Sequence, residues 1–165
     1  MIEVVVDDLA FIQADAILRP ADDALAPITP AAARLDQQAG PRFAALCKVS
    51  TPLDAGAAVV TGGGDLTAPL VVHVVLQDQG RTPMGRETIR RALQSAWQRA
   101  ADWSLEHVAA PPIGAGPGRL SLEEAVLLLA ESFPREGVAP RTLRIVVERD
   151  DERELADAVL RSVRP

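Results

Sequence analysis

Two stretches of this chain carry residue types that do chemistry. The first is Pro112-Ile113-Gly114-Ala115-Gly116-Pro117-Gly118-Arg119, followed by Ser121 and Glu124. Glycine lets backbone N–H groups approach an anion closely. A helix opening behind the loop adds unpaired N–H donors and a partial positive charge. With Arg119 offering a charge-assisted contact, the stretch reads as a diphosphate cradle. It reads equally as a tight strand-to-helix turn. It is not a P-loop, because no Gly-Lys-Ser/Thr follows. Nor is it the dinucleotide fingerprint, because the spacing is Gly-x-Gly-x-Gly and comes late in the chain.

The second stretch is ADAILRPADD, residues 14–23. An apolar strand, Ala14–Leu18, runs into a loop holding Arg19, Asp22 and Asp23. In an open sheet, ligands sit beyond the carboxyl ends of the strands. There, Asp22 or Asp23 suits a ribose hydroxyl or the activation of a water. A solvated loop with a helix cap accounts for the same residues.

Other chemistries are thinly supplied. Cys47 is the single cysteine, so no disulfide within the chain and no zinc-spaced cluster is expected. There is no tyrosine to act as acid, base or nucleophile. His73 lies in an apolar run and reads as a satisfied core histidine. His107 reads as surface or structural, and Cys47 as a packing residue. Of 17 basic residues only Lys48 is lysine, a bias that points to genome composition. Against 23 acids they leave a net charge of −6. An acidic surface disfavours bulk nucleic acid and anionic membrane. No apolar run approaches the roughly 18–20 residues of a membrane span. The start, MIEVVVDD, lacks the basic region of a signal peptide, so a cytoplasmic location is expected.

These residues must be positioned by the elements around them. The chain has 165 residues, of which 48% are hydrophobic, enough for one domain with its own core. Ile2–Val6 reads as a strand. Thr29-Pro30 opens a helix that Gly40 closes, and Pro41 starts a short second one. Ala57–Thr61 and Leu70–Leu76 read as strands, the latter buried on both faces. Thr82-Pro83 opens a long helix with Ile89, Leu93, Ala96, Trp97 and Ala100 on one face. Trp97 belongs to the core and Trp103 lies toward solvent. His107–Pro112 is strand-like. Ser121 and Glu124 form a capping box before the helix Leu122–Phe133. Leu143–Val147 is the last strand, and a helix from Asp150 ends near Arg161 and Arg164, with charges that suit its dipole. Strands alternating with helices predict an α/β fold: a mostly parallel sheet with helices on both faces, in one domain over residues 1–165.

Read together, VVVDDL, ADAILRPAD and APPIGAGPGRLSLEEA resemble a macro domain, in order and at matching spacing. ARLDQQAG, DAGAAVVTGGGDL, LVVHVV and ETIRRALQSAWQRA extend the resemblance over nearly the whole chain. It implies a three-layer α/β/α sandwich with a mixed sheet of about six strands. It also implies a cleft for ADP-ribose or a related nucleotide. By position, Asp8 would accept from the adenine amino group and Leu9 would face the base. Gly114, Ala115, Gly116, Pro117 and Gly118 would form the phosphate loop beside Arg119. Asp22 would hold the distal ribose, as ligand or as catalytic base. Arg149 falls where many members place an aromatic against adenine.

There are departures. Ala115 replaces a hydroxyl residue, and Arg19-Pro20 replaces Asn-Ala. The glycine-rich first loop of the family is here Ala24-Leu25-Ala26-Pro27-Ile28-Thr29-Pro30, whose two prolines lack N–H groups.

Three functions follow from the resemblance: a module that binds the small-molecule ligand, a hydrolase of ADP-ribosyl or acyl-ADP-ribose bonds, or a diverged interaction domain that no longer takes ADP-ribose. None calls for a metal or a bound cofactor, and the oligomeric state is left open.

Overall fold

A computed structural model describes residues 1–79, 84–116 and 119–163. The sequence places β-branched and apolar runs where strands form: β1 (Ile2–Val6), β2 (Ala16–Asp22), β3 (Ala58–Gly62), β4 (Leu70–Gln77), β5 (His107–Ala110) and β6 (Thr142–Val147). Four helices alternate with them: α1 (Pro30–Leu46), α2 (Arg86–Asp102), α3 (Leu122–Ser132) and α4 (Asp150–Val163). The strands form one six-stranded sheet in the order β1-β6-β5-β2-β4-β3. Every pairing is parallel except β3 with β4. This is the mixed, mostly parallel sheet expected from the alternation of elements.

Side-chain alternation along the strands divides the core between two faces. Leu18, Val72, Val74 and Ile145 meet Ile89, Leu93 and Trp97 of α2, Leu129 of α3 and Leu160 of α4. Ile17, Val71, Ala109 and Val146 point the other way, onto Leu35, Ala39 and Phe43 of α1. Helices therefore cover both faces, which completes the three-layer sandwich. The central strands are buried on both sides, so β4 reads as a continuous apolar run.

Local signals set several boundaries. The Thr29 hydroxyl accepts from the Ala32 N–H, and Pro30 opens α1. Gly40, at φ 83°, breaks α1 into two parts before Pro41. The Ser121 hydroxyl accepts from the Glu124 N–H and caps α3; of the expected capping box this half is present, while the Glu124 carboxylate accepts from the Ser121 hydroxyl. Trp97 is buried in the core, and Trp103 is exposed.

Two boundaries differ most from expectation. Thr82 and Pro83 lie outside the described residues, and α2 begins only at Arg86, after Gly85. Arg164 is also outside them. β2 does not end at Leu18 but runs on to Asp22, so Arg19 and Pro20 stand inside the sheet. A charge and a proline are poor strand signals, yet each is accommodated. Arg19 is fully buried and paired with Asp36. β5 pairs with β2 only at Ala16 and Ile17, so Pro20 lies beyond that ladder.

Candidate functional site

Where β5 leaves β2, a cleft of about 1170 Å³ opens at the carboxyl ends of the strands. Segments following β1, β5 and β6 and the start of α1 wall it. Asp8 and Leu9 line one part. Gly114, Ala115, Gly116 and Arg119 line another. The two motifs, about a hundred residues apart in sequence, thus share one cavity. Pro20 and Leu76 contribute from the ends of β2 and β4. Pro117 and Gly118 lie outside the described residues.

Asp8 is exposed and sits just beyond β1. Its Oδ1 accepts from the Ala10 N–H at 2.9 Å, and its carbonyl accepts from the N–H groups of Phe11 and Ile12. The turn therefore fixes one carboxylate oxygen, and the carboxylate retains further acceptor capacity.

The glycine loop is closed on itself. The Ala115 N–H donates to Pro112 O at 3.1 Å and the Gly116 N–H to Leu120 O at 3.3 Å. Leu120 N–H returns to Gly114 O at 3.1 Å. Gly114 is required at its position: φ is +94°, and a Cβ there would lie 2.7 Å from Ile89 Cδ1. The expectation of several backbone donors aimed at an anion is corrected for Ala115 and Gly116, whose N–H groups the turn consumes. The half-buried Arg119 side chain remains the cation on this wall.

The first loop is likewise organised from within. Asp22 Oδ1 accepts from the N–H groups of Ala24 and Ala26, both at 2.9 Å. Its carbonyl accepts from the Leu25 N–H at 3.0 Å. Asp22 is the acceptor that builds this turn, and it is not among the residues lining the cleft. Asp23 is buried rather than solvated; its carbonyl accepts from the Leu53 N–H and its Oδ1 from Gln79 Nε2. Beyond the turn, Ile28, Thr29, Pro30 and Ala31 reach the cleft.

Behind this wall lies a buried polar chain. Arg19 Nε and Nη2 donate to the two carboxylate oxygens of Asp36 at 2.8 and 2.6 Å. Nη2 also donates to Leu25 O at 2.9 Å. Nη1 lies 3.1 Å from His73 Nδ1, and His73 Nε2 lies 2.8 Å from the Thr61 hydroxyl. Burial, with the Arg19 charge beside it, pushes the His73 pKa down to about 3. His73 is thus a satisfied core histidine, stacked on Phe43 at 5.7 Å. Burial raises the half-buried Cys47 thiol, against the Arg19 charge, which lowers it; Asp36 adds to the rise. A raised thiol is a poor nucleophile at neutral pH. His107 is exposed, its Nδ1 2.8 Å from the Thr142 hydroxyl. Among the described residues no group of three or more His, Cys, Asp or Glu is placed to hold a metal ion. Nor is any helix among them long and apolar enough to cross a membrane.

Among the lining residues that the sequence did not point to are Arg34 and Glu148. Arg34 of α1 donates to Glu148, which directly follows β6, at 2.5 Å. The signal for Arg34 was a lone base in the run Pro30-Ala31-Ala32-Ala33-Arg34-Leu35, and by itself it indicates no wall. Arg149 does not line the cleft. It turns to Asp151 at 3.0 Å, a pairing that raises its own pKa and lowers that of Asp151.

Comparison with known proteins agrees with this fold. The family model described as Macro domain matches residues 20–129. An uncharacterised protein of Aeropyrum pernix is 31% identical over 147 residues, covering 88% of this chain and 77% of that protein. One from Aquifex aeolicus is 26% identical over 157 residues, covering 95% and 94%. Among solved structures, a mutant of the Oceanobacillus iheyensis macrodomain, with ADPR, superposes with a TM-score of 0.85 at 18% identity, covering 98% of this chain and 92% of that one. The Trypanosoma brucei macrodomain in complex with ADP gives 0.82 at 19% identity, covering 96% and 68%. A six-stranded mixed sheet between two layers of helices, with the family match spanning its centre, makes this chain a member of the macro domain family.

Proposed function

We propose that the cleft binds ADP-ribose or a related adenine nucleotide. The observation that carries this reading is the meeting of Asp8 and Leu9 with the Gly114–Arg119 turn in one cavity. A cavity of about 1170 Å³ is ample for a dinucleotide-sized ligand; small-molecule sites run to roughly 300–1,000 Å³. Asp8 accepts from an exocyclic amino group, Leu9 packs on the base, and Arg119 takes the phosphates. The macrodomain structures solved with ADPR and with ADP support a nucleotide ligand. Asp22 has no part in this reading, because it is not among the residues lining the cleft and its Oδ1 is turned to the first loop. Hydrolysis by Asp22 is therefore not proposed.

A second reading is a domain that has lost ADP-ribose binding. It is favoured by the engaged N–H groups of Ala24, Leu25, Ala26, Ala115 and Gly116, which leave fewer donors for a diphosphate. Titration calorimetry with ADP-ribose, ADP and AMP separates the two. One-site binding, tighter for ADP-ribose than for AMP, is the expected result. Absence of heat and of thermal shift at millimolar ligand establishes the second reading.

A further inference from the structure

We propose that the Arg34 guanidinium, with Glu148 on its edge, is the surface on which the ligand's base stacks. This rests on the nucleotide reading above. The position follows from the backbone. The Asp7 N–H donates to Val147 O, so Glu148 lies beside the Asp7–Asp8 turn. Arg34 reaches across from α1 to meet it, and both residues line the cleft. The Glu148 backbone is itself anchored, because its N–H and that of Arg149 donate to Glu152 Oε1 at 3.3 and 3.1 Å. The ion pair therefore lies at the Asp8 end, where the base is expected.

A base needs a flat partner, and no Phe, Trp or His is among the described residues that line the cleft. A guanidinium is planar, weakly hydrated and stacks on π faces. Its bond to Glu148 runs through Nη2, at the edge of the plane and not on a face. The Arg34 side chain is 59% exposed, so a base meets it without breaking into the core. The work divides as follows. Arg34 gives a platform that any base can use, and Asp8 selects the one with an amino group facing it.

The experiment is titration of AMP and ADP-ribose into wild type, Arg34→Ala and Arg34→Lys, at low and high salt. Arg34→Ala should weaken both ligands about tenfold, in line with stacking on a single side chain. Arg34→Lys should restore little of that, because lysine has the charge and not the plane. The loss should persist at high salt, which screens a simple charge contact. Unchanged affinity in Arg34→Ala overturns the inference and leaves the nucleotide reading standing. So does full rescue by lysine, or a loss that disappears in high salt, since either makes the contact one of charge alone. A wild type that binds neither ligand overturns both. Unchanged melting temperatures establish that the variants are folded, as expected for an exposed ion pair.

Discussion

Arg19 decides which nitrogen of His73 carries the proton. The guanidinium has only donors, and its Nη1 lies 3.1 Å from His73 Nδ1. Nδ1 must therefore accept, and the proton sits on Nε2, which donates to the Thr61 hydroxyl 2.8 Å away. Thr61 in turn donates to Gly62 O at 3.1 Å. The chain of donors runs one way, and a second proton on His73 would face the Arg19 charge.

The pH dependence of stability follows from that arrangement. The folded His73 pKa, about 3, lies below the unfolded value near 6.5. Between these values the unfolded state binds the extra proton, so stability is full above about pH 6.5 and falls as pH drops toward 3. The slope should approach 1.4 kcal/mol per pH unit inside that window. Denaturant unfolding at pH 7, 6, 5 and 4 measures it. The His73 ring resonances should not titrate between pH 8 and 5, and a midpoint near 6.5 would refute the assignment.

Removing one partner of the buried ion pair should be severe. Arg19→Met strands the Asp36 carboxylate and the His73 acceptor. Asp36→Leu strands a fully buried guanidinium. Asp36→Leu should cost about 3–5 kcal/mol, the range for an orphaned buried charge, and Arg19→Met less, because the Asp36 side chain is 25% exposed and water reaches it. The double variant should lose less than the sum of the two, and additive losses would mean the pair is not coupled.

Asp22 should matter for stability and not for turnover. Asp22→Ala removes the acceptor of two N–H groups and should destabilise by about 1–3 kcal/mol. Asp22→Asn keeps a side-chain oxygen and should cost less. Should purified protein release ADP-ribose from a modified substrate, and Asp22→Asn abolish that release without loss of stability, Asp22 would be catalytic after all.

Gly114→Ala tests the closed turn. A Cβ at φ +94° and 2.7 Å from Ile89 Cδ1 should lower stability by about 1–3 kcal/mol, read as a fall in denaturation midpoint. Gly137→Ala, also at positive φ (+90°) but with nothing within 4 Å of the added Cβ, is the matched control and should cost less.

Asp8→Ala should weaken ADP-ribose and AMP by at least about tenfold, because a hydrogen bond to a charged acceptor contributes about 1.5–3 kcal/mol. Equal affinity in wild type and variant, measured by calorimetry, would remove Asp8 from the site.

What the sequence revealed, and what it hid, has a physical pattern. Layers and strand identities were legible because burial on one or two faces writes a period into each element, as in Leu70–Gln77. The pairing of Asp8 with the Gly114 turn was reached through resemblance and the order of motifs. Arg19 was misplaced into a loop because its burial depends on Asp36 and His73, which lie 17 and 54 residues away. The two roles open to Asp22 were indistinguishable in the sequence for a related reason. A carboxylate at a strand end looks the same whether it faces a ligand or its own loop, and only the direction of the Ala24 and Ala26 N–H groups tells them apart. Arg34 and Glu148, 114 residues apart, left no local signature at all.

The reach of Arg19 has one more consequence. Its guanidinium grips Leu25 O in the first loop and Asp36 in α1 from inside the sheet. The cleft wall is thereby tied to the core at these two points. Amide hydrogen exchange at the buried Leu25 and Leu35 should therefore be slower than at the exposed Ala24 and Ala26 of the same wall.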